Sequence, residues 1–122
     1  MNFSRWVFRI AGVYGLAVLV PHYFLENQIA AEAQQALTHP EFFYGFVGIG
    51  IAWQIAFLII AHDPVRFRAM MIPSVLEKFS FAGAVTVLFI QQRVAGMMFA
   101  AGMVDLAFGV LFLVAWGRLA AE

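Results

Sequence analysis

Four long apolar runs dominate the sequence, and they constrain the fold more than any other feature. Each run can cross about 30 Å of hydrocarbon, because a helix rises about 1.5 Å per residue. Continuous apolar runs, rather than amphipathic stripes, distinguish membrane spans from the helices of a water-soluble core. The sequence therefore predicts one all-α domain over residues 1–122. We expect an integral membrane four-helix bundle with short loops and spans at about 6–25, 42–61, 70–91 and 94–117.

Composition excludes several classes of protein. With 64% hydrophobic and only 11% charged residues, the 122-residue chain has too few polar groups to cover a water-soluble domain. The formal net charge is zero, so electrostatics give no case for binding nucleic acid. Cysteine is absent, which excludes disulfides, thiolate metal sites and cysteine catalysis.

Prolines mark the span boundaries. Pro21 lies near the end of the first span, and it predicts a kink rather than a stop because neighbouring helices can satisfy the freed carbonyl. Pro40 stands near the first helical position of the second span, where a missing N–H costs nothing. The outer loop, residues 26–41, is rich in helix formers and predicts a short interfacial helix.

Basic residues predict the orientation, because Lys and Arg are retained on the cytoplasmic side. Five arginines fall at one end of the predicted bundle and only Arg93 at the other. Both termini are therefore predicted to be cytoplasmic, with the loop at 26–41 outside. The five arginines are Arg5, Arg9, Arg66, Arg68 and Arg118.

Asp105 lies near the middle of the fourth span, and the sequence predicts no cation at its depth. Gln54 and Tyr14 fall within a few ångströms of that level, so either can donate a hydrogen bond to it. Asp105 shares a helix face with Gly102 and Gly109, which predicts that it points into the bundle. Two interpretations stay open. Asp105 is either a neutral carboxyl that holds helices together or the centre of a ligand or proton site.

Glu77 and Arg9 are predicted to share a layer nearer the cytoplasm. By helical rise, Arg9 lies roughly 24 Å and Glu77 roughly 21 Å from the outer ends of their spans. An inter-helical ion pair that fixes register is one interpretation of Glu77, and a carboxylate lining a cytoplasm-facing cavity is the other. For the neighbouring Lys78 the pattern favours a long side chain that snorkels toward the lipid headgroups.

A third group of polar residues stands at the outer mouth of the bundle. His22, Glu26, His39 and Glu41 provide nitrogen and oxygen ligands, but their spacing does not require a metal ion, and we predict none. Haem between helices would need histidines facing each other within the spans, and the sequence places none there. We therefore predict no cofactor.

The second span carries a face of small residues that suggests a partner beyond the lipid bilayer. This face either contacts a second copy or another membrane protein, or it fills tight packing within one chain. Its members are Gly45, Gly48, Ala52 and Ala56.

Several segments resemble the small bacterial four-helix membrane proteins of the DoxX-like type. The first helix contains Arg-Ile-Ala-Gly-Val-Tyr-Gly at residues 9–15, and the last contains Asp-Leu-Ala-Phe-Gly at 105–109. The segment 39–46 and the triplet Leu-Glu-Lys at 76–78 also look like family signatures. The resemblance implies a four-span fold in the bacterial cytoplasmic (inner) membrane, and it implies no single activity.

The predicted function is a non-enzymatic binding or accessory module for a lipophilic ligand or a membrane partner. Two alternatives stay open. One is a proton-coupled transporter or channel, which requires an oligomer because four helices enclose little volume. The other is a membrane enzyme acting on a lipid or quinone-like substrate, with Asp105 or Glu77 as acid or base.

Overall fold

The computed structural model describes residues 2–25, 27–28 and 39–121, and its regular elements there are all helical. Four long helices follow one another along the chain, and all four are long and apolar enough to cross a membrane. The predicted all-α architecture is confirmed in these residues. The helices are α1 Asn2–Leu19, α2 Pro40–His62, α3 Met71–Ile90 and α4 Gly96–Ala121.

Prolines set the helix ends as the sequence indicates, with one difference at Pro21. There the α-helix stops at Leu19 and the chain winds on as a 3₁₀ segment, Val20–Phe24. The proline ring crowds the carbonyl four residues earlier and has no N–H to donate, which favours this tighter winding over a simple kink. Pro40 is the first residue of α2, as predicted. Most of the predicted interfacial helix in the outer loop lies outside the described residues.

The four helices pack as two hairpins. Helix α1 packs closely against α2, and α3 packs closely against α4. A smaller contact between α1 and α4 joins the two hairpins, whereas α2 and α3 meet over only a short stretch. The bundle is therefore tight along two interfaces and splayed between α2 and α3.

Three phenylalanines form the centre of the core. Phe8 of α1 stacks on Phe112 of α4, with ring centroids 4.0 Å apart. Phe57 of α2 meets Phe112 edge to face at 5.0 Å, and all three rings are fully buried. Such aromatic contacts add to the stabilisation from packing. They fix three of the four helices at one level.

Arginines gather at one end of the bundle. The Arg68 guanidinium, from the connection between α2 and α3, donates two hydrogen bonds of 3.1 and 3.0 Å to the carbonyl of Trp116 near the end of α4. Arg118 lies over the ring of Phe3 at the start of α1. The predicted grouping is confirmed for Arg68 and Arg118, and Arg68 links the α2–α3 connection to the last turns of α4.

Candidate functional site

Lys78, the only lysine in the sequence, lies inside the bundle between α3 and α4. Its side chain is only 3% exposed. The ammonium nitrogen Nζ lies 3.3 Å from Asp105 Oδ1 and 3.9 Å from Glu77 Oε2. The shorter contact is a charge-assisted hydrogen bond that Lys78 donates to Asp105. We call these three residues the Lys78 cluster.

Glycines of α4 let α3 approach closely enough to form the cluster. A Cβ atom at Gly109 would overlap the ring of Phe79 and lie 3.2 Å from the Cβ of Lys78. Two turns earlier, a Cβ atom at Gly102 would lie 3.1 Å from the side chain of Val85. Small residues at such a crossing permit close packing of membrane helices. The prediction that the glycine face of α4 meets another helix is confirmed.

Two aromatic rings lie near the ammonium group of Lys78. Lys78 Nζ lies 5.1 Å from the ring centroid of Phe57 and 5.7 Å from that of Phe108. Both distances suit cation–π attraction. Because the Lys78 side chain is almost fully buried, its contact with Asp105 lies in a medium of lower dielectric constant than water, where charges interact more strongly.

The cluster contains one base and two acids, so its formal charges do not balance. Glu77 Oε2 is buried and accepts no hydrogen bond from the described part of the chain. Its nearest cation, Lys78 Nζ, lies beyond hydrogen-bonding distance at 3.9 Å. A buried carboxylate oxygen without a donor is costly, and more so within a membrane. Glu77 therefore offers an unmatched acceptor and an unmatched negative charge.

A cavity between α2 and α3 ends at Glu77. Its volume is about 160 Å³, and its walls are Phe46, Ile49, Gly50 and Trp53 of α2 together with Glu77 of α3. Phe46 and Ile49 are largely exposed on the outer surface of the bundle. The α2–α3 cavity thus connects the lipid-facing side with one carboxylate of the Lys78 cluster.

The prediction that no cation lies at the depth of Asp105 is wrong, because Lys78 is its partner. The two predicted donors bind elsewhere. Gln54 donates to the carbonyl of Gly50 at 3.0 Å, and the ring of Tyr14 packs against Phe108. The predicted snorkelling of Lys78 is also wrong, since its side chain is buried.

Lys78 is the residue that sequence reasoning missed, although the hairpin geometry contained a signal for it. Lys78 lies 15 residues before Arg93 in the connecting turn, and Asp105 lies 12 residues after it. In an antiparallel hairpin these positions differ in depth by about 4.5 Å. The long stem of a lysine spans that difference, so the depth of its Cα atom does not fix the depth of its charge.

Gln54 occupies the other tight interface, between α1 and α2. Its side chain is 2% exposed, and a Cβ atom at Gly15 would overlap it. At Gly12 a Cβ atom would lie 2.8 Å from the side chain of Leu58. Gln54 bonds within its own helix, and Oε1 has no hydrogen-bond partner among the described residues. Gln54 therefore packs the α1–α2 hairpin and does not join the Lys78 cluster.

Arg9 does not pair with Glu77. Its side chain is exposed, and its guanidinium lies 5.1 Å from the ring centroid of Trp6. Among the described residues, only Lys78 lies within ion-pair distance of Glu77. The predicted layer of Arg9 and Glu77 therefore does not form a shared site.

The outer mouth contains an exposed pair. His39 Nδ1 and Glu41 Oε1 lie 3.3 Å apart at the start of α2. The Nδ1 atom of His22 lies within hydrogen-bonding distance of the carbonyl oxygen of Val18, at 2.7 Å. Glu26 lies outside the described residues. Within the described ranges, no three of the His, Asp and Glu side chains group in a way that could hold a metal ion.

The small-residue face of α2 is only partly covered by the chain itself. A Cβ atom at Gly48 would lie 2.9 Å from the Tyr23 hydroxyl, so this position packs against the end of the first span. Gly45 and Ala52 are exposed, and a Cβ atom at Gly45 would meet nothing within 4 Å. Contact with a second copy or another membrane protein through this face stays a prediction.

Comparison with protein-family models, with curated proteins and with solved structures finds no match for this chain.

Proposed function

We propose that this chain is a small, non-enzymatic membrane protein that binds a lipophilic ligand with a cationic headgroup in the α2–α3 cavity. The observation that carries the proposal concerns Glu77, whose side chain lines the cavity and whose buried Oε2 atom accepts no hydrogen bond among the described residues. A protonated amine would supply both the missing donor and the missing positive charge.

Charge balance supports a cationic ligand over an anionic one. Asp105 is matched by Lys78 at 3.3 Å, which leaves Glu77 as the acid in excess. An anionic headgroup in the cavity would add a second unmatched negative charge where charges are already costly. A neutral headgroup would leave the excess charge as it is.

The size of the cavity supports a ligand that stays partly in the bilayer. Its volume of about 160 Å³ is small beside the roughly 300–1,000 Å³ of pockets that enclose drug-sized ligands. We propose that the headgroup and the first part of the chain enter between α2 and α3. The rest of the apolar chain would then lie along exposed residues such as Phe46 and Ile49.

The location of the protein belongs to the same proposal. We place it in the bacterial cytoplasmic membrane with both termini in the cytoplasm, as a relative of the DoxX-like proteins. Support comes from the arginines at one end of the bundle, where Arg68 binds the end of α4 and Arg118 lies beside the start of α1.

Ligand binding can be measured with three amphiphiles of equal chain length: dodecylammonium, dodecanol and dodecanoate. The protein is placed in phosphatidylcholine nanodiscs, and the fluorescence of Trp53, which lines the cavity, reports binding after Trp6 and Trp116 are replaced by Phe. We expect dodecylammonium to bind at least about tenfold more tightly than dodecanol, because a hydrogen bond to a charged group contributes about 1.5–3 kcal/mol. Dodecanoate should bind most weakly.

Two substitutions distinguish binding in the cavity from non-specific attraction of amines to any carboxylate of the protein. Glu77→Gln should remove the preference for dodecylammonium. Glu41→Gln removes the same kind of carboxylate from an exposed position at the start of α2 and should leave the preference intact. Equal binding of the three amphiphiles, or an equal loss in both variants, would contradict the proposal.

A proton-coupled transporter is the second candidate, and the excess acid of the cluster favours it. A carboxyl that exchanges a proton for a cation would couple the two movements. In that case dodecylammonium binding should release about one proton per site, and an oligomer should move the amine across a sealed vesicle. Binding without proton release would leave the simple binding module as the function.

A further inference from the structure

A second groove lies between α1 and α4, away from the Lys78 cluster. Its volume is about 390 Å³, and the surface exposed in it is apolar. Phe3, Trp6 and Ile10 of α1 and Phe108 and Leu111 of α4 are among its walls. Trp6 and Ile10 are more than half exposed, so the groove is open along its length. We call it the α1–α4 groove.

Two guanidinium groups stand at the rim of this groove. Arg9 lies 5.1 Å from the ring centroid of Trp6, and Arg118 lies 4.5 Å from that of Phe3. Both rings belong to the walls. Neither arginine forms an ion pair with another described residue. The rim therefore carries two positive charges that no acid in the described ranges offsets.

The guanidinium groups of Arg9 and Arg118 suit phosphate oxygens, which accept two parallel hydrogen bonds from one arginine. Apolar walls beside this basic rim thus match an amphiphile with an apolar chain and an anionic head.

We propose that the α1–α4 groove binds one acyl chain of an anionic phospholipid, with the lipid phosphate held by Arg9 and Arg118. The lipid is the occupant that complements both parts of the site, since the bilayer supplies the chain and the negative headgroup together. This site is independent of the ligand proposed for the α2–α3 cavity, which has the opposite charge.

Quenching of Trp6 by brominated acyl chains tests this proposal directly, because Trp6 forms part of the groove wall. Trp53 and Trp116 are replaced by Phe, and the protein is placed in phosphatidylcholine containing a small fraction of brominated lipid. We expect brominated phosphatidylglycerol to occupy the site about tenfold or more in preference to brominated phosphatidylcholine. Equal quenching by the two lipids would overturn the proposal.

The double variant Arg9→Gln with Arg118→Gln should lose this preference. Arg66→Gln is the matched control, since Arg66 lies in the connection between α2 and α3 and its guanidinium stacks on Phe67. Retention of the preference in the double variant, or an equal loss in the control, would overturn the assignment of the headgroup to this rim. The comparison of the two lipids is made with Arg9 and Arg118 in place. It therefore tests the preference for an anionic lipid even if the double variant fails to fold.

Discussion

The two helix hairpins are packed by the same means but contain different polar groups. In both interfaces glycines allow close approach, Gly15 between α1 and α2 and Gly109 between α3 and α4. The first interface encloses a neutral amide, Gln54, whereas the second encloses the ammonium of Lys78. Close packing of two helices in this protein therefore does not require a buried charge.

The cost of the two polar groups differs. An amide with one unpartnered atom costs about 1–3 kcal/mol when judged by substitutions in proteins, and buried charges cost more. The α1–α2 interface packs closely with a neutral amide alone, so close packing does not explain why the α3–α4 interface contains a charged cluster with an excess acid. The contrast supports a packing role for Gln54 and a binding role for the Lys78 cluster, and five substitutions test it.

Lys78→Met should have the largest effect. It leaves Asp105 and Glu77 buried without a cation, and removal of one partner of a buried pair costs about 3–5 kcal/mol. The free energy of unfolding in mixed micelles measures the loss, with Arg93→Met at the exposed turn as the control. Adding Asp105→Asn to the Lys78 variant should restore part of the stability. If the free energy of unfolding falls no further than in the control, the ion pair does not stabilise the protein.

Substitution of the interface glycines should have the next largest effect, and it should be similar in the two hairpins. Gly15→Ala and Gly109→Ala each place a Cβ atom where another side chain lies, and such overpacking typically costs about 1–3 kcal/mol. At Gly45 and Gly117 a Cβ atom would meet nothing within 4 Å. Alanine at those two positions should therefore cause no comparable loss of unfolding free energy, and an equal loss there would argue against both tight crossings.

Gln54→Met should cost less than about 1 kcal/mol, because the variant gives up one hydrogen bond to Gly50 and also removes an unpartnered buried oxygen. The two side chains have similar volume, so packing against Gly15 is kept. A loss of unfolding free energy as large as that of Lys78→Met would show that Gln54 is as important for stability as Lys78.

Glu77→Gln should cause the smallest loss of stability or none, since it removes an unmatched buried charge and Glu77 Oε2 accepts no hydrogen bond among the described residues. The same variant should lose the preference for dodecylammonium. This separation of binding from stability distinguishes Glu77 from Lys78. A Glu77 variant that unfolds as readily as the Lys78 variant would make the carboxylate a structural group.

Sequence reasoning found the elements better than it found the site. The apolar runs and Pro40 located the helices to within a few residues, because span length and proline chemistry are local properties. The glycine face around Gly109 also indicated a close crossing. The effect of Pro21 was harder to predict, since a kink and a change to a 3₁₀ helix differ only in how the chain satisfies its carbonyls.

The partner of Asp105 was missed because a long side chain separates charge from backbone depth. The sequence pattern predicts that Lys78 snorkels toward the lipid headgroups, yet its ammonium lies beside Asp105. The α2–α3 cavity was also beyond sequence analysis, since it results from how far two hairpins splay. Arg9 was wrongly expected beside Glu77, because helical rise gives the depth of a residue but not the direction that its side chain faces.

The contact between Glu77 and the ligand headgroup is the most direct test of the proposed function. Solid-state NMR can measure the dipolar coupling between ¹⁵N-dodecylammonium and protein labelled with ¹³C at the glutamate carboxyls. We predict a close contact to one carboxyl that disappears in Glu77→Gln and persists in Glu41→Gln. A coupling that is unchanged in the Glu77 variant, or the absence of any coupling while the amine is bound, would contradict the placement of the ligand in the α2–α3 cavity.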